Sequence, residues 1–446
     1  MRSLAQVFLE WGWQLSGSDL RAESLPGLAA SGVRIFQGHQ AANVPAQAEL
    51  VVYSAAIEAD NPELRRAADL GIPTLSYFEV LGRLMPGKRG LAIAGTHGKS
   101  TAAAMAAEML IDAHHDPTVV YGAAPLGKSS GGRAGRGEVM LVEACEYRAH
   151  FLHLQPQQAI ILGVEPDHFD CYDSLEDLER AFARFAASIP ESGLILARAD
   201  CASTRRAVAG LTCRVETFGC GDRADWSARN IGQRWGRYRF DLLRHGRLVC
   251  RVVLQVPGGH NVLNALAAAA LAWHNGVEPL RIARVLRSFH GLERRLQVVG
   301  SWRDVTIVDD YAHHPTEAAA ALRTVRQMFP GRRVWCVFQP HQVCRTACLL
   351  DELAESLQNT DRLLVTDIFR AREPIRSSGE VTAADLAQRV RDGGGEVAGV
   401  HATDEIIRFL ERGLTPGDVL ITMGAGDVAK IWQALVDRFA TISAAA

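Results

Sequence analysis

The sequence has little net charge and lacks any long apolar run. It contains 48 Lys and Arg residues against 50 Asp and Glu residues, a formal net charge of −2 over 446 residues. Such a balance gives no overall attraction to nucleic acid or to an anionic membrane, so an anionic ligand must be met by local groups. No apolar stretch is long enough to span a bilayer, and the first residues lack the basic and apolar segments of a signal peptide. We therefore expect a cytoplasmic protein without nucleic-acid or membrane partners.

Cysteine pairs of the Cys-x-x-Cys type are also missing. The 9 cysteines are odd in number and scattered along the chain. This pattern fits reduced thiols better than a disulfide framework or a cysteine zinc site. We therefore expect no structural metal.

What the sequence does contain is an alternation of short β-branched runs with helical patterns. The runs lie at 48–57, 90–95, 138–144, 158–165, 305–310, 334–338, 362–367 and 419–424. Alternation at this spacing predicts an α/β fold with mainly parallel sheets and crossover helices. The glycine-rich segment 129–137 interrupts the alternation and is predicted to be a flexible loop.

The length of the chain predicts about three domains at roughly 150 residues each. Two changes of composition suggest where they meet: the Pro/Gly/basic segment LMPGKRG (84–90), and FHGLERRL (289–296) after a long alanine-rich helix. We place the domains at 1–86, 87–290 and 291–446.

The segment AGTHGKSTAAAM, residues 94–105, has the features of a phosphate-binding loop. Such a loop needs a strand, glycines that admit the phosphate, a lysine, a hydroxyl for Mg²⁺ and a helix whose free N–H groups face the anion. The expected nucleotide contacts are Gly95, Thr96, His97, Gly98, Lys99, Ser100 and Thr101. The general pattern has glycine where Ile93 stands, so the loop is a shorter variant. The alternative interpretation is a glycine-rich turn capped by Ser100.

Two further segments follow predicted strands, at the edge where ligands of parallel sheets collect. EACEYR (143–148) contains Glu143, and GVEPDHFDCY (163–172) contains His168. A magnesium ion on nucleotide phosphates needs one or two carboxylates, and imidazole is a less usual addition. Taken alone, a histidine beside aspartates is more often a surface or helix-start group. Its occurrence together with the phosphate loop favours a metal role for both residues.

Asn261 and Asn264 lie three residues apart on a predicted helix in GGHNVLNALAAAA (258–270). Two amides on one helix face can bind the edge of a base. The alternative is that Asn261 simply caps the helix.

Seven motifs occur together and in order: GTHGKST, EPDHFD, GGHNVLNALAA, GLERR, VDDYAHHPTE, FQPHQVCRT and MGAGDV. This set resembles the Mur ligase family over essentially the whole chain, and most resembles the branch that joins L-alanine to UDP-N-acetylmuramate. The resemblance implies an ATP- and Mg²⁺-dependent ligase of peptidoglycan precursor synthesis. It also implies a Rossmann-like UDP-sugar domain, a central P-loop ATPase domain and a Rossmann-like amino-acid domain.

The resemblance further implies roles for particular residues. Lys99 would hold the phosphates, and Ser100, Glu143 and His168 would bind Mg²⁺. Asn261 and Asn264 would face the adenine, while Arg295 and Asp310 would reach the nucleotide from the third domain. The lactyl carboxylate would become an acyl phosphate that the amine of alanine attacks, so alignment and charge neutralisation are the main tasks.

In the third domain the resemblance places His313 at the amino-acid site, and His341 with Arg345 at a substrate carboxylate. Two alternatives remain open: Arg295 serves an interdomain salt bridge, or AHHP is only a helix start with Pro315 at its first position.

The sequence departs from the family pattern at three places. Gln342 stands where arginine commonly follows the histidine, and Cys145 stands where aspartate is usual. The chain also starts where the family has already passed its first strand and Gly-x-Gly-Met loop, so we expect a truncated N-terminal domain, most simply from a start site placed too far downstream.

Three functions fit these observations: the alanine-adding ligase, a sibling that adds a peptide or another amino acid, and a non-catalytic nucleotide-binding protein. We expect a monomer or a weak homodimer.

Overall fold

The computed structural model describes residues 1–21, 25–221, 223–371, 373–374 and 379–444. The strands form four sheets, of two, two, ten and six strands. No helix among the described residues is long and apolar enough to cross a bilayer.

The N-terminal region carries the two small sheets. Its helices are α1 (Arg2–Glu10), α2 (Pro26–Ala30), α3 (Pro62–Asp69) and α4 (Tyr77–Leu84), and a 3₁₀ helix spans Ala41–Asn43. Its strands are β1 (Ser16–Asp19), β2 (Arg34–Gln37), β3 (Val51–Tyr53) and β4 (Thr74–Ser76). β1 pairs with β2 and β3 pairs with β4, each in parallel, and no hydrogen-bonded strand of the described chain joins the two pairs.

Helix α1 packs against the next region. Leu4, Val7 and Phe8 are buried in the same cluster as strand residues of the large sheet. The Ser3 hydroxyl donates a hydrogen bond to the Tyr121 carbonyl at 2.6 Å. A side chain at Gly132 would overlap the Ser3 carbonyl. This close approach explains the glycine at position 132. The segment 129–137 contains an edge strand rather than the flexible loop predicted from its composition.

The central region is built on the ten-stranded sheet. Its strands are β5 (Arg89–Ala94), β6 (Thr118–Tyr121), β7 (Gly131–Arg133), β8 (Val139–Glu143), β9 (Gln158–Ile161), β10 (Leu194–Arg198), β11 (Arg214–Gly219), β12 (Trp226–Arg234), β13 (Arg237–Arg244) and β14 (Arg247–Pro257). Its helices are α5 (Lys99–Asp112), α6 (Leu175–Ala187), α7 (Ala202–Ala207), α8 (His260–His274) and α9 (Pro279–Ser288), with a 3₁₀ helix at Tyr147–His153. The order is β14-β13-β12-β11-β10-β9-β5-β8-β6-β7.

Helices cover both faces of this sheet. α5, α8 and α9 share one buried cluster, and α6 lies in the other. Ala102, Ala103 and Ala104 in α5, and the run Ala267–Ala270 in α8, are fully buried. Their small side chains let α5, α8 and the sheet approach closely. Both helices are therefore buried on nearly all sides, which is why they are apolar almost all round.

The last region is the six-stranded sheet. Its strands are β15 (Gln297–Trp302), β16 (Val305–Asp310), β17 (Val334–Phe338), β18 (Arg362–Val365), β19 (Val397–Val400) and β20 (Val419–Met423). Its helices are α10 (Pro315–Met328), α11 (Val343–Cys348), α12 (Leu350–Leu357), α13 (Ala383–Asp392), α14 (Thr403–Gly413) and α15 (Ala429–Ala444). The order is β15-β16-β20-β17-β18-β19, and all neighbours except β15 and β16 are parallel.

The predicted α/β class with mainly parallel sheets is therefore confirmed. The antiparallel ribbon β12-β13-β14 was not predicted, because its Arg-rich, partly exposed strands lack the apolar runs by which the other strands were found. The predicted boundaries at 86 and 290 remain a prediction.

Candidate active site

The phosphate loop joins β5 to α5. Gly98 is the residue before the helix and has φ +79°, and Gly95 has φ +132°. Both angles favour glycine, because an L side chain is strained there. A side chain at Gly98 would also overlap the amide of Asn264. The loop that leads into α5 therefore needs glycine at these positions. It leaves the free N–H groups at the start of α5 able to face a phosphate.

Neighbouring strands bring the predicted groups together. β5 lies between β8 and β9, parallel to both. The loop after β5, Glu143 at the end of β8, and His168 beyond β9 therefore meet at one edge of the sheet.

Ser100 and Glu143 form the strongest candidate for the magnesium site. The Ser100 hydroxyl donates to Glu143 Oε2 at 2.8 Å, and the Gly122 amide donates to the same oxygen at 2.7 Å. A hydroxyl and a carboxylate are hard oxygen donors, the kind that Mg²⁺ prefers. The donor set therefore suits Mg²⁺.

Lys99 is paired with Glu146, a residue that the sequence analysis missed. The Lys99 ammonium lies 2.9 Å from Glu146 Oε2, and the carboxylate is only 1 % exposed. Burial raises the pKa of Glu146, but the charge of Lys99 and the hydrogen bond from His168 together outweigh burial, so the net shift is downward. The signal was present in the motif EACEYR, three residues after Glu143.

His168 contacts Glu146 as well. Its Nε2 lies 3.3 Å from Glu146 Oε1, and its ring centre lies 5.3 Å from that of Tyr147. Glu146 therefore lies between Lys99 and His168, at the place where the sequence analysis put phosphate and metal.

A cavity of about 140 Å³ lies between the central region and the third region. The predicted nucleotide contacts on its wall are His97, Gly98, Thr101, Asn261, Asn264, Arg295 and Asp310. Three residues that were not predicted also line the cavity: Arg198, His260 and Glu317. Asn264 Nδ2 donates to Asn261 Oδ1 at 2.9 Å, and Asn261 Nδ2 donates to the Pro257 carbonyl at 2.7 Å. Asn261 does not cap α8, since Gly259 precedes that helix.

Asp310 closes the cavity from the third region. Its two oxygens accept hydrogen bonds from the Leu296 and Ala312 amides, each at 2.7 Å. Burial raises its pKa to about 6, although the nearby Arg295 opposes the shift. The Arg295 guanidinium stacks 5.1 Å above the Tyr311 ring.

The remaining predicted residues meet at the boundary between the two regions. Arg345 Nε donates a hydrogen bond to Asp167 Oδ1 at 2.8 Å. Arg345 Nη1 lies 2.8 Å from His341 Nδ1. The ring centres of His341 and His313 are 5.6 Å apart. Burial lowers the pKa of His313 to about 4. Asp167, which precedes His168, was missed by the sequence analysis. It forms an ion pair across the boundary with Arg345.

AHHP does start a helix, since α10 begins at Pro315 and the His314 ring accepts a hydrogen bond from the Thr316 amide. That alternative is therefore compatible with His313 facing Arg345 and His341.

Comparison with known families decides the identity of the fold. Residues 1–89 match the description "Mur ligase family, catalytic domain", residues 93–272 match "Mur ligase middle domain", and residues 294–426 match "Mur ligase, glutamate ligase domain". The chain belongs to the Mur ligase family. The resemblance stated from the motifs is confirmed.

The relatives of this Mur ligase are similar along nearly its full length. It is 39 % identical over 440 residues to a UDP-N-acetylmuramate–L-alanine ligase of Clostridium novyi, covering 98 % of this chain and 95 % of the relative. It is 37 % identical to an enzyme of the same name from Acetivibrio thermocellus, covering 97 % and 92 %.

Solved structures of Mur ligases have the same fold. The UDP-N-acetylmuramate–alanine ligase of Thermotoga maritima superposes with a TM-score of 0.82 at 25 % identity, covering 99 % of this chain and 96 % of that one. A murein peptide ligase of Psychrobacter arcticus gives a TM-score of 0.74 at 24 % identity, covering 98 % and 96 %.

Two of the residues that depart from the usual Mur ligase pattern, Gln342 and Cys145, have structural roles here. Gln342 has φ +65° and precedes α11. Its backbone N–H donates a hydrogen bond to the Phe369 carbonyl at 2.9 Å. Cys145 lies beside the phosphate loop, but burial raises the pKa of its thiol to about 12. A thiol with such a pKa is not nucleophilic at neutral pH, so Cys145 acts as a small apolar residue.

Proposed function

We propose that this chain joins L-alanine to the lactyl carboxylate of UDP-N-acetylmuramate at the expense of ATP, a step of peptidoglycan precursor synthesis. The observation that carries the proposal is the convergence of two groups of side chains. Lys99, Ser100, Glu143 and His168 come from the central sheet edge, and His313, His341 and Arg345 face them from the third region.

We propose the division of labour that the family suggests. Residues 1–86 bind the UDP-sugar, residues 87–290 bind ATP and Mg²⁺, and residues 291–446 bind the amino acid. The cavity between the last two regions takes the adenosine part of the nucleotide, with Asn261 and Asn264 on one wall and Asp310 on the other.

Ser100, Glu143 and His168 are the proposed Mg²⁺ ligands. Bound there, Mg²⁺ would supply positive charge against the phosphates and the reacting carboxylate. Lys99 would leave Glu146 for the nucleotide phosphates, which are the stronger anion. Glu146 would then keep His168 in place through the contact at 3.3 Å.

The third region orients the amino acid. Arg345 offers a guanidinium for a planar carboxylate, and Asp167 and His341 fix its position. His313 is uncharged at neutral pH, since burial lowers its pKa to about 4. Its ring therefore does not compete with Arg345 for the carboxylate, and it can accept a hydrogen bond from the amine. Alignment of this kind is the main contribution that such a site makes to the rate.

ADP release in the presence of ATP, Mg²⁺ and UDP-N-acetylmuramate tests the proposal. We expect release that depends on L-alanine and is absent with other amino acids or with a tripeptide. Release that depends on the tripeptide would make the chain a peptide-adding sibling. No release with any acceptor, in a chain that still binds ATP, would leave a non-catalytic nucleotide-binding protein.

A further inference from the structure

A cluster of two histidines and a glutamate lies at the boundary between the central and third regions. His97 belongs to the phosphate loop, Glu165 follows β9, and His314 precedes α10. One ligand atom from each residue lies within 4.8 Å of the other two. Two ligands therefore come from the central region and one from the third.

The His97 ring is oriented for metal binding. Its Nδ1 lies 3.0 Å from Glu317 Oε1, and its Nε2 lies 3.5 Å from Glu165 Oε2. The Nε2 atom is buried and has no hydrogen-bond partner among the residues that the structure describes. Histidine ligands of metals usually donate the other ring N–H to a carboxylate, which fixes the tautomer. Glu317 is such a carboxylate.

His314 differs from His97 in that both of its ring nitrogens are hydrogen-bonded. Its Nδ1 accepts a hydrogen bond from the Thr316 amide at 3.3 Å, so its Nε2 carries the proton and donates to the Pro166 carbonyl at 3.1 Å. A metal bound at Nδ1 would therefore take the place of the hydrogen bond from the Thr316 amide. Glu165 is also oriented, since its Oε2 accepts the Thr316 hydroxyl at 2.6 Å.

The spacing and charge of the cluster suit a four-coordinate zinc-like ion. Zinc bonds to nitrogen and oxygen are about 2.0–2.2 Å long, so tetrahedral ligand atoms lie roughly 3.4 Å apart. The distance of 3.5 Å between His97 Nε2 and Glu165 Oε2 matches this value. The carboxylates of Glu165 and Glu317 balance the charge of a divalent ion when both imidazoles are neutral. Since His97, Glu165 and Thr316 line the cavity, a fourth position is open to water or ligand.

We propose that His97, Glu165 and His314 bind a divalent transition metal, with Zn²⁺ the best match, and that the ion ties the third region to the central region. The site is separate from the Mg²⁺ site at Ser100 and Glu143, which has oxygen ligands. It does not depend on the proposed reaction. Cysteine spacing could not indicate it, because its ligands are imidazole and carboxylate groups that lie far apart in the chain.

Titration of the full chain with Zn²⁺ and with Co²⁺, in excess Mg²⁺, tests the proposal. We expect one Zn²⁺ per chain and a Co²⁺ absorption spectrum of tetrahedral type without the thiolate-to-cobalt band. We expect His314→Gln and Glu165→Gln each to weaken Zn²⁺ binding at least about tenfold. Glu143→Gln, which alters the Mg²⁺ site, is the matched control and retains the Zn²⁺ affinity of the parent chain.

Thermal unfolding without metal checks that each variant folds. If His314→Gln unfolds because it loses the cap of α10, Glu165→Gln alone tests the site. Three outcomes overturn the proposal: equal Zn²⁺ affinity in Glu165→Gln and the parent chain, a thiolate band in the Co²⁺ spectrum, or no binding in excess Mg²⁺. In each case the cluster is only an ion pair of His97 with Glu165 and Glu317, and it binds no metal.

Discussion

Arg345 and Asp167 form a buried ion pair across the boundary between the third and central regions. The Asp167 Oδ1 atom lies 2.8 Å from Arg345 Nε and 2.7 Å from Nη2, and the two residues are 3 % and 7 % exposed. Arg345 contributes most among several groups that together outweigh burial and hold the pKa of Asp167 well below its usual value. The pair therefore joins the predicted amino-acid site to the residue next to His168.

We predict that Asp167→Asn lowers thermal stability and raises the KM for L-alanine more than it lowers kcat. Removing one partner of a buried pair leaves an uncompensated charge, which typically costs about 3–5 kcal/mol. The remaining guanidinium is also less well oriented for a carboxylate. Steady-state kinetics and thermal unfolding measure the two effects.

Asp351→Asn is the matched control for that variant. Asp351 also pairs with an arginine, Arg389, but both side chains are more than half exposed. An exposed pair contributes about 1 kcal/mol or less. If Asp167→Asn were as stable as Asp351→Asn and kept the parent KM, Asp167 would have no positioning role.

We predict that Lys99→Met reduces turnover at least roughly a hundredfold, because a preorganised positive charge on the phosphates is lost. The variant also leaves the Glu146 carboxylate, which is 1 % exposed, without the charge of Lys99. The double variant Lys99→Met, Glu146→Gln should therefore recover thermal stability without recovering activity. ADP release and thermal unfolding separate the chemical effect from the structural one. Normal turnover in Lys99→Met would refute the assignment of the phosphate loop.

We predict that Ser100→Ala and His168→Ala each raise the Mg²⁺ concentration for half-maximal activity about tenfold or more, since each removes a proposed ligand. A Mg²⁺ titration of initial rates is the measurement. Ser188→Ala is the control, since Ser188 caps the end of α6 and its hydroxyl donates only to the Phe185 carbonyl, at 2.7 Å. An unchanged titration in both ligand variants would show that the metal lies elsewhere.

We predict that His97 makes stability fall at high pH. Burial alone lowers the pKa of His97, but Glu165 and Glu317 more than reverse this and raise it to about 9 from the ordinary 6.5. Between pH 6.5 and pH 9 the folded chain therefore binds more protons than the unfolded chain does. The contribution is complete below pH 6.5 and is lost as the pH rises through 9; its size is on the order of 3 kcal/mol.

Thermal unfolding of the parent chain and of His97→Asn at pH 6 and pH 9, with a chelator present, tests the pH prediction. The stability difference between the two chains should be large at pH 6 and small at pH 9. His245→Asn is the control for the loss of a histidine, because His245 is half exposed and lies outside the candidate site, 3.3 Å from Asp225. A difference that is equal at both pH values would exclude a protonated His97.

Local groups of the site could be predicted from the sequence because a short segment contains them. The phosphate loop, its helix and the run of strands depend on residue types at fixed spacing, and the structure has a strand within each of the eight predicted runs. Glu146 was missed because a second acid in one motif has no distinguishing feature until its side chain is seen between Lys99 and His168. The edge strand β7 was missed because its glycines look like a loop. Only tertiary contacts explain them, since a side chain would overlap the Ser3 carbonyl at Gly132 and the Tyr121 and Ala123 carbonyls at Gly131.

By itself the sequence determined the α/β class, the order of the motifs and the chemical types at the site, since these depend on neighbours along the chain. Only the tertiary structure decided which groups meet across the boundary. Asp167 and Arg345 are 178 residues apart in the chain, and His97 and Glu317 are 220 apart. No local pattern specifies such pairs. They arise because parallel strands place the loops at their carboxyl ends on one edge of each sheet, and packing then brings the edges of two sheets together.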